Sequence, residues 1–324
     1  MHIDVKFTEH NKVPDLIVRV LSPLGTYPSK SIIMAESAFI ADKEICFSIS
    51  NFEIFNVEDE DYYSEMVWAK LEEIRLFASI LLSANIDEGY TRIYPFPFSE
   101  GVSVSGNIDF NNTDLINNIK ELFIKKIDAP DLQISGYPQP QRNLYRNLRG
   151  ISLPPSNGGP NYDFRENILD FELLSKVYVS INKNDHLVIR GVSTLIKSVM
   201  LNTHHQFFEE SITTLYIALE ASFRLVLRAL KRQGIKNPSS SDAMKYIHDA
   251  FNDIYRTDKY FEEYYDDRIK TVHPESRFGI FPHAPLRADD FYDLKDDLVE
   301  VYLFLLTGYV NPRHENNNST IQNT

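Results

Sequence analysis

Cysteine is nearly absent from this sequence, and basic residues are fewer than acidic ones. Its 324 residues include one cysteine, Cys46, which has no partner for a disulfide within the chain. A chain without disulfides fits a reducing compartment. The first residues, MHIDVKFTEH, also lack the basic flank and apolar run of a secretion signal. We therefore expect a cytoplasmic protein.

The charge balance limits what the protein can bind. Lysine and arginine number 33 against 46 acidic residues, which gives a net charge of −13. Phosphate binding needs a positive surface, and a negative protein repels a polyanion at long range. The sequence therefore excludes non-specific coating of nucleic acid and allows only a local basic site. Because no run approaches the roughly 18 uncharged apolar residues of a membrane span, we expect no membrane association.

Several common catalytic motifs are also missing. The sequence has no G-x-x-x-x-G-K-[ST], G-x-G-x-x-G, G-x-S-x-G or H-E-x-x-H motif, which argues against P-loop, Rossmann, α/β-hydrolase and zincin chemistry. His204 and His205 are adjacent, and neighbouring side chains on a helix diverge by about 100°. Because this geometry does not direct both rings at one ion, we predict no metal site.

The first part of the chain is β-rich. Residues 1 to about 55 alternate apolar and polar side chains in runs such as HIDVKF, DLIVRVL and EICFSIS, which predicts antiparallel strands. We expect a helix over 64–82, two further strands at TRIYPF and VSVSGNIDF, and a helix to about 127 with Thr113 as its N-cap. Residues 1–130 are therefore predicted to form a mixed α+β module.

The second part is helical. Proline and glycine are dense in GYPQPQ and LPPSNGGPN, which predicts a linker over 131–164. Helical periodicity then predicts an all-α bundle over 165–310, with its core at 203–310. The expected helices are 165–181, 186–202, 204–233, 241–256, 258–273 and 288–310. The polar segment 311–324 is expected to be a disordered tail, and the predicted fold class is α+β, with the β-rich mixed module first.

Two residues near the end of the helix predicted over 258–273 suit phosphodiester chemistry. Arg268 offers a planar donor fork for a phosphate, and His273 suits proton transfer near neutral pH. Five residues separate their side chains by roughly 140° on a regular helix, so one chain does not aim both at one substrate unless the helix bends. Pro274 biases His273 out of the helical conformation, and a helix C-terminus stabilises an imidazolium.

The run Arg268-Ile-Lys-Thr-Val-His273 resembles the R-x4-H motif of HEPN domains, in the R-x-K-x-V-H form of the Apea-like branch. LYIALEASFRLVLR, with Glu220, and DDLVEVYLFLLTGYV resemble the acidic long helix and the closing helix of that family. The resemblance implies a metal-independent endoribonuclease that requires no cofactor and leaves 2',3'-cyclic phosphate ends, with His273 as general acid or base and Arg268 neutralising the phosphate. It also implies supporting roles for Glu220, Asp267 and Lys270.

The same resemblance implies a homodimer through the helical domain and a role in anti-phage defence or as a toxin. The N-terminal module would then sense a protein or phage trigger, or select the target. Ile269 departs from the polar residue that active members often carry after the arginine. A non-catalytic HEPN dimer that binds RNA or a protein is therefore the alternative, and a helical interaction domain with no nucleic-acid role is a third.

Basic residues on the helix predicted over 204–233 are the candidate RNA contacts. Arg224, Arg228 and Arg232 recur at four-residue steps along one face. Arg277, beyond the motif, is a fourth candidate. A solvated surface stripe explains the same spacing without RNA.

Glu220 and the R-x4-H pair each have a structural interpretation as well. Glu220 lies in an apolar run, where an acid is costly unless paired. The sequence leaves open whether its partner is Arg268, as the resemblance implies, or a local arginine such as Arg224. Arg268 and His273 could in turn pair with Asp267 or with backbone carbonyls at the helix end.

Overall fold

The structure, a computed structural model, describes residues 4–9, 12–21, 30–42, 45–52, 71–84, 95–128, 170–202, 207–251, 261 and 288–311. The chain divides into two compact units. The first comprises Met1–Ile80 and Ala84–Phe171, and the second comprises Leu81–Ser83 and Glu172–Thr324. Six strands and seven helices lie in the described residues. The chain is α+β, as the sequence predicts.

The first unit contains a six-stranded antiparallel sheet. Its strands are β1 (Asp4–Phe7), β2 (Leu16–Leu21), β3 (Lys30–Ile33), β4 (Ser37–Asp42), β5 (Ile45–Asn51) and β6 (Pro95–Ser105). They lie in the order β1-β6-β2-β5-β4-β3, and every neighbouring pair is antiparallel. The antiparallel strands expected in the first 55 residues are confirmed.

Strand β6 corrects the expectation of two strands around residue 100. It is one strand of 11 residues that joins the end of the first predicted run to the start of the second. Its prolines are tolerated because β1 pairs only with Val102–Ser105. At Pro95 and Pro97 the described part of the sheet therefore flanks β6 on one side only, where a missing N–H costs least. The strand ends before Gly106, whose φ of 137° favours glycine.

One face of the sheet is apolar and packs against helix α2 (Thr113–Asp128). Strand alternation places Leu16 and Val18 on this face, and the rings of Phe47 and Phe123 lie 5.6 Å apart between sheet and helix. The buried cluster consists of Leu16, Val18, Ala38, Ile40, Phe47, Ile49, Val102, Phe110, Leu115, Ile116, Ile119 and Phe123. This cluster is the core of the first unit.

The N-cap of α2 differs from the prediction by one residue. The side-chain oxygen of Asn112 accepts hydrogen bonds from the backbone N–H groups of Asp114, at 3.0 Å, and Leu115, at 3.4 Å. Asn112 is therefore the cap, and Thr113 is the first helical residue. Both residue types cap helices well, so the sequence alone does not choose between these neighbours.

The opposite face of the sheet mixes polar and apolar side chains, Ile17 and Phe39 among the latter, and contacts helix α1 (Leu71–Leu82). Arg19, Ser48 and Ser50 are all buried there. Arg19 on β2 forms an ion pair with Glu73 on α1, in which Nε and Nη2 of the guanidinium each donate to a carboxylate oxygen. The pair joins α1 to this face of the sheet, and α1 also buries apolar side chains such as Leu76 and Ile80.

The second unit is built from helices α3 (Phe171–Ser180), α4 (His186–Asn202), α5 (Phe208–Arg232), α6 (Ser240–Phe251) and α7 (Ala288–Thr307). The predicted bounds of α4 are confirmed. The prediction for α3 was wrong at its start because Asp170 is not helical. That for α7 was wrong at its end because Gly308, with φ of 71°, follows Thr307. No helix among the described residues is long and apolar enough to cross a membrane.

Helices α4, α5 and α7 meet around one tyrosine. The hydroxyl of Tyr302 on α7 donates a 2.6 Å hydrogen bond to the carbonyl of Ala218 on α5. The same ring passes so close to Gly191 on α4 that an added Cβ there would lie 2.1 Å from the hydroxyl. Asn202 on α4 also donates to the hydroxyl of Tyr292 on α7. These contacts show that α4 and α7 run antiparallel to each other.

Candidate functional site

Helix α5 carries every candidate site residue that the structure describes. Its sequence suits a long helix, since Glu209 and Glu210 lie in the first turn and Lys231 and Arg232 in the last, which complements the helix dipole. Its buried residues recur at three- and four-residue steps and include Ile212, Leu215, Leu219, Val226 and Leu230. The polar candidates therefore lie off the buried stripe.

Glu220 and Arg224 pair with each other. Nε of Arg224 donates to Oε1 of Glu220 at 3.0 Å, across one helical turn. Their side chains keep 60% and 32% of their surface exposed, for Arg224 and Glu220 respectively. Of the two partners that the sequence leaves open for Glu220, the local arginine is thus in contact with it.

Arg228 is committed to the start of α4. Its Nη1 and Nη2 donate to the two carboxylate oxygens of Asp185 at 3.0 and 2.6 Å. Asp185 also accepts from the backbone N–H of Val188 at 3.3 Å, which makes it the N-cap of α4. Burial opposes ionisation of Asp185, but the hydrogen bonds from Arg228 and Val188 outweigh it and hold the pKa of the carboxyl below its ordinary value. Arg228 thus holds α4 and α5 together.

Arg232 has a different environment from the other two arginines of the predicted stripe. It is exposed in the last turn of α5, and no ion pair or hydrogen bond of its side chain occurs among the described residues. The three arginines that share one spacing therefore have three states. One is paired on the surface, one is paired between helices, and one is exposed without such a contact in the described part of the chain.

The R-x4-H motif itself lies outside the described residues, as do Asp267, Lys270 and Arg277. The described residue closest to it in sequence is Phe261, which is buried. The ring of Phe261 packs edge-on against Phe223 of α5, with 4.9 Å between the centroids. Phe261 is therefore anchored on α5 at Phe223, which lies three residues from Glu220 in sequence.

Sequence analysis missed two acidic residues in this unit. Asp185 follows Asn182 and Asn184 directly before α4, and this capping pattern is visible in the sequence. Glu300 on α7 is 3% exposed, and its signal is a single acid in the apolar run VEVYLFLL, the same signal that singles out Glu220. Among the described residues, no three histidine, cysteine or acidic side chains cluster so as to hold a metal ion.

Comparison with known proteins adds no assignment. No protein-family model matches the chain, and neither the curated proteins nor the solved structures contain a match to it. The functional interpretation therefore depends on the residues of this chain and on the R-x4-H resemblance.

Proposed function

We propose that the second unit is a HEPN-type, metal-independent endoribonuclease. The order of its elements supports this proposal. A long helix with an acidic residue, α5, is followed by α6, then by the segment that contains Arg268 and His273, and finally by the closing helix α7. This is the order that the resemblance implies. The anti-phage or toxin role belongs to the same proposal, with the first unit as sensor or target selector.

The observation that carries the proposal is the ring contact between Phe261 and Phe223. Arg268 follows Phe261 by seven residues, which is about two turns of a regular helix. On the helix that the sequence predicts over 258–273, both side chains then share one face. Phe261 uses that face to contact Phe223 of α5, so the proposal expects Arg268 to face the same helix near Glu220.

The chemistry follows from the two side chains. His273 would accept the proton of a ribose 2'-hydroxyl as the oxygen attacks the adjacent phosphorus, and the bond from phosphorus to the 5'-oxygen breaks. The leaving oxygen takes up a proton, so the products are a 2',3'-cyclic phosphate and a free 5'-hydroxyl. Arg268 would neutralise the charge that develops on the phosphate oxygens. The reaction as proposed consumes no metal or cofactor.

A dimer belongs to the same proposal. On a regular helix the side chains of Arg268 and His273 would point roughly 140° apart. Two chains that face one cleft overcome this separation, because each chain then supplies one of the two side chains. Mixing an Arg268→Ala protein with a His273→Ala protein tests this arrangement. If each site takes Arg268 from one chain and His273 from the other, a mixed dimer has one intact site, so the mixture recovers activity. If both residues of a site come from the same chain, every mixture stays inactive.

The test of the ribonuclease itself compares three full-length proteins on labelled transfer, ribosomal and messenger RNAs in EDTA. These are the wild type, His273→Ala and a matched control, His283→Ala, which changes another histidine that precedes α7. We expect the wild type and the control to cleave and His273→Ala to lose at least about 100-fold in rate. Equal cleavage by all three proteins would show that His273 is not the proton-transfer group.

The alternative function is a non-catalytic dimer that binds RNA or a protein. One contact favours it. Glu220 already accepts a hydrogen bond from Arg224, so it is not reserved for positioning Arg268 in a catalytic site. Binding of RNA at low salt by wild type and His273→Ala alike, with no cleavage by either, would support this alternative. If neither protein binds RNA at low salt, the third possibility, a helical interaction domain with no nucleic-acid role, is supported.

A further inference from the structure

The turn between α5 and α6 carries an unusual concentration of positive charge. From residue 221 to residue 248 the sequence has six lysines and arginines and one acidic residue, Asp242, in a chain whose net charge is −13. Three of the six lie at the turn itself: Lys231, Arg232 and Lys236. We call these three residues the basic turn, and all three side chains are exposed.

Hydrogen bonds fix the backbone of this turn at both ends. At the end of α5, the N–H of Ile235 donates to the carbonyl of Leu230 and that of Gly234 donates to the carbonyl of Lys231, both at 3.1 Å. Gly234 has φ of 98°, so this is a Schellman motif with glycine at its left-handed position.

At the start of α6, Ser239 and Asp242 form a capping box. The N–H of Ser239 donates to Oδ2 of Asp242 at 2.7 Å, and the N–H of Asp242 donates to Oγ of Ser239 at 3.2 Å. The carboxylate of Asp242 is thereby used within its own cap. The basic turn is consequently displayed on a short, defined reversal between two helices.

The charges of the basic turn are not balanced locally. No ion pair or hydrogen bond of the Lys231, Arg232 or Lys236 side chains occurs within the described residues. Arg224 and Arg228, by contrast, contact Glu220 and Asp185. The helix dipole accounts for Lys231 and Arg232, which lie in the last turn of α5. It does not account for Lys236, which lies beyond the end of that helix.

We propose that the basic turn binds the phosphate backbone of single-stranded RNA. The inference rests on the proposed function for its choice of RNA. It moves the RNA contact away from the stripe of Arg224, Arg228 and Arg232, of which only Arg232 stays in the site. An acidic chain that must approach a polyanion needs a patch where its own charge is locally reversed, and the basic turn is such a patch.

The test measures binding rather than cleavage, so that it is separate from the test of catalysis. Binding of a fluorescent single-stranded RNA is followed from low to high salt with full-length His273→Ala protein, which keeps the RNA intact. The test variant adds Lys231→Gln, Arg232→Gln and Lys236→Gln. The control variant adds Lys125→Gln, Lys176→Gln and Lys197→Gln, which remove three exposed positive charges elsewhere. A second variant, Lys231→Arg with Lys236→Arg, keeps the charge.

Three phosphate contacts on single-stranded nucleic acid contribute about two units to the slope of log affinity against log salt. We expect the test variant to lose about that much slope and about 10- to 100-fold in affinity near 0.1 M salt. The control and the arginine variant should bind like the parent. Far-UV circular dichroism confirms that each variant is folded.

Three outcomes would overturn the inference. Equal loss in the test and control variants would show an effect of net charge alone. Unchanged binding by the test variant, with cleavage by wild type intact, would leave the ribonuclease standing and place the RNA elsewhere. Polyglutamate that displaces the RNA at equal charge concentration, with the same slope of log affinity against log salt, would assign the basic turn to acidic proteins instead.

Discussion

In the first unit, the side chains of Arg19 and Glu73 are only 10% and 6% exposed between a sheet and a helix, whereas in the second unit Arg224 and Glu220 remain 60% and 32% exposed on α5. A buried charge must be paired because its desolvation is costly, so the first pair is committed to the fold. An exposed pair contributes little to stability and exchanges partners cheaply. The comparison teaches that the same two residue types hold the fold together where they are buried and stay accessible to other partners where they are exposed.

The largest expected effect comes from breaking the buried pair of the first unit. Arg19→Met leaves Glu73 buried without its arginine, which should lower the free energy of unfolding by about 3 to 5 kcal/mol. Unfolding in urea is followed by the fluorescence of the single tryptophan, Trp68, which belongs to this unit. Arg19→Met combined with Glu73→Leu should recover most of the loss. A double variant as unstable as the single one would contradict the assigned role of the pair.

An intermediate effect is expected where three helices meet in the second unit. Gly191→Ala would place a methyl group 2.1 Å from the Tyr302 hydroxyl and 2.8 Å from the ring. We expect a loss of about 1 to 3 kcal/mol, since overpacking of a buried ring outweighs the helix preference of alanine. Tyr302→Phe alone should cost about 1 kcal/mol through its lost hydrogen bond.

The double variant tests whether these two effects share one contact. Because Tyr302→Phe removes the hydroxyl that the new methyl group meets, the double variant should cost less than the sum of the single ones. Urea unfolding followed by far-UV circular dichroism measures all three. Strict additivity would mean that the close approach of Gly191 and Tyr302 has no energetic consequence.

The smallest expected effect concerns the cap that joins α4 and α5. Asp185→Asn keeps a capping oxygen but loses the charge that Arg228 contacts, so it should cost about 0.5 to 1 kcal/mol at neutral pH, given the partial exposure of the pair. The pKa of folded Asp185 is lowered, so the stability that its charge contributes is present above the ordinary pKa of an aspartate and is lost as the pH falls through the lowered pKa. The difference between wild type and variant should therefore shrink in acid. A difference that stays constant down to low pH would contradict this account.

Local sequence patterns were enough to predict elements but not partners. The bounds of α4 follow from its apolar period, and the strands of the first unit follow from alternation. The pairing of Asp185 with Arg228 joins residues 43 apart in sequence, and it depends on how α4 and α5 pack. Likewise, spacing could not choose a partner for Glu220, because an arginine one turn away and one on a distant segment both satisfy a carboxylate.

Proline and capping residues set the remaining differences in the fold. The sequence pattern predicted two separate runs, TRIYPF and VSVSGNIDF, whereas the structure has the single strand β6, whose prolines lie where the described part of the sheet flanks it on one side only. For the site, the sequence supplied Arg268, His273 and the residues of α5. It could not show that Arg224, Arg228 and Arg232 differ in exposure and pairing, because these properties depend on tertiary contacts that a four-residue period does not encode.

The chemical identity of the RNA ends tests the central claim most directly. RNA cut by the full-length wild type in EDTA is mapped for its termini, with His273→Ala run in parallel. The account predicts 2',3'-cyclic phosphates and free 5'-hydroxyls from the wild type and no such ends from the variant. Termini with 3'-hydroxyl and 5'-phosphate groups, or cyclic phosphates formed equally by both proteins, would contradict it.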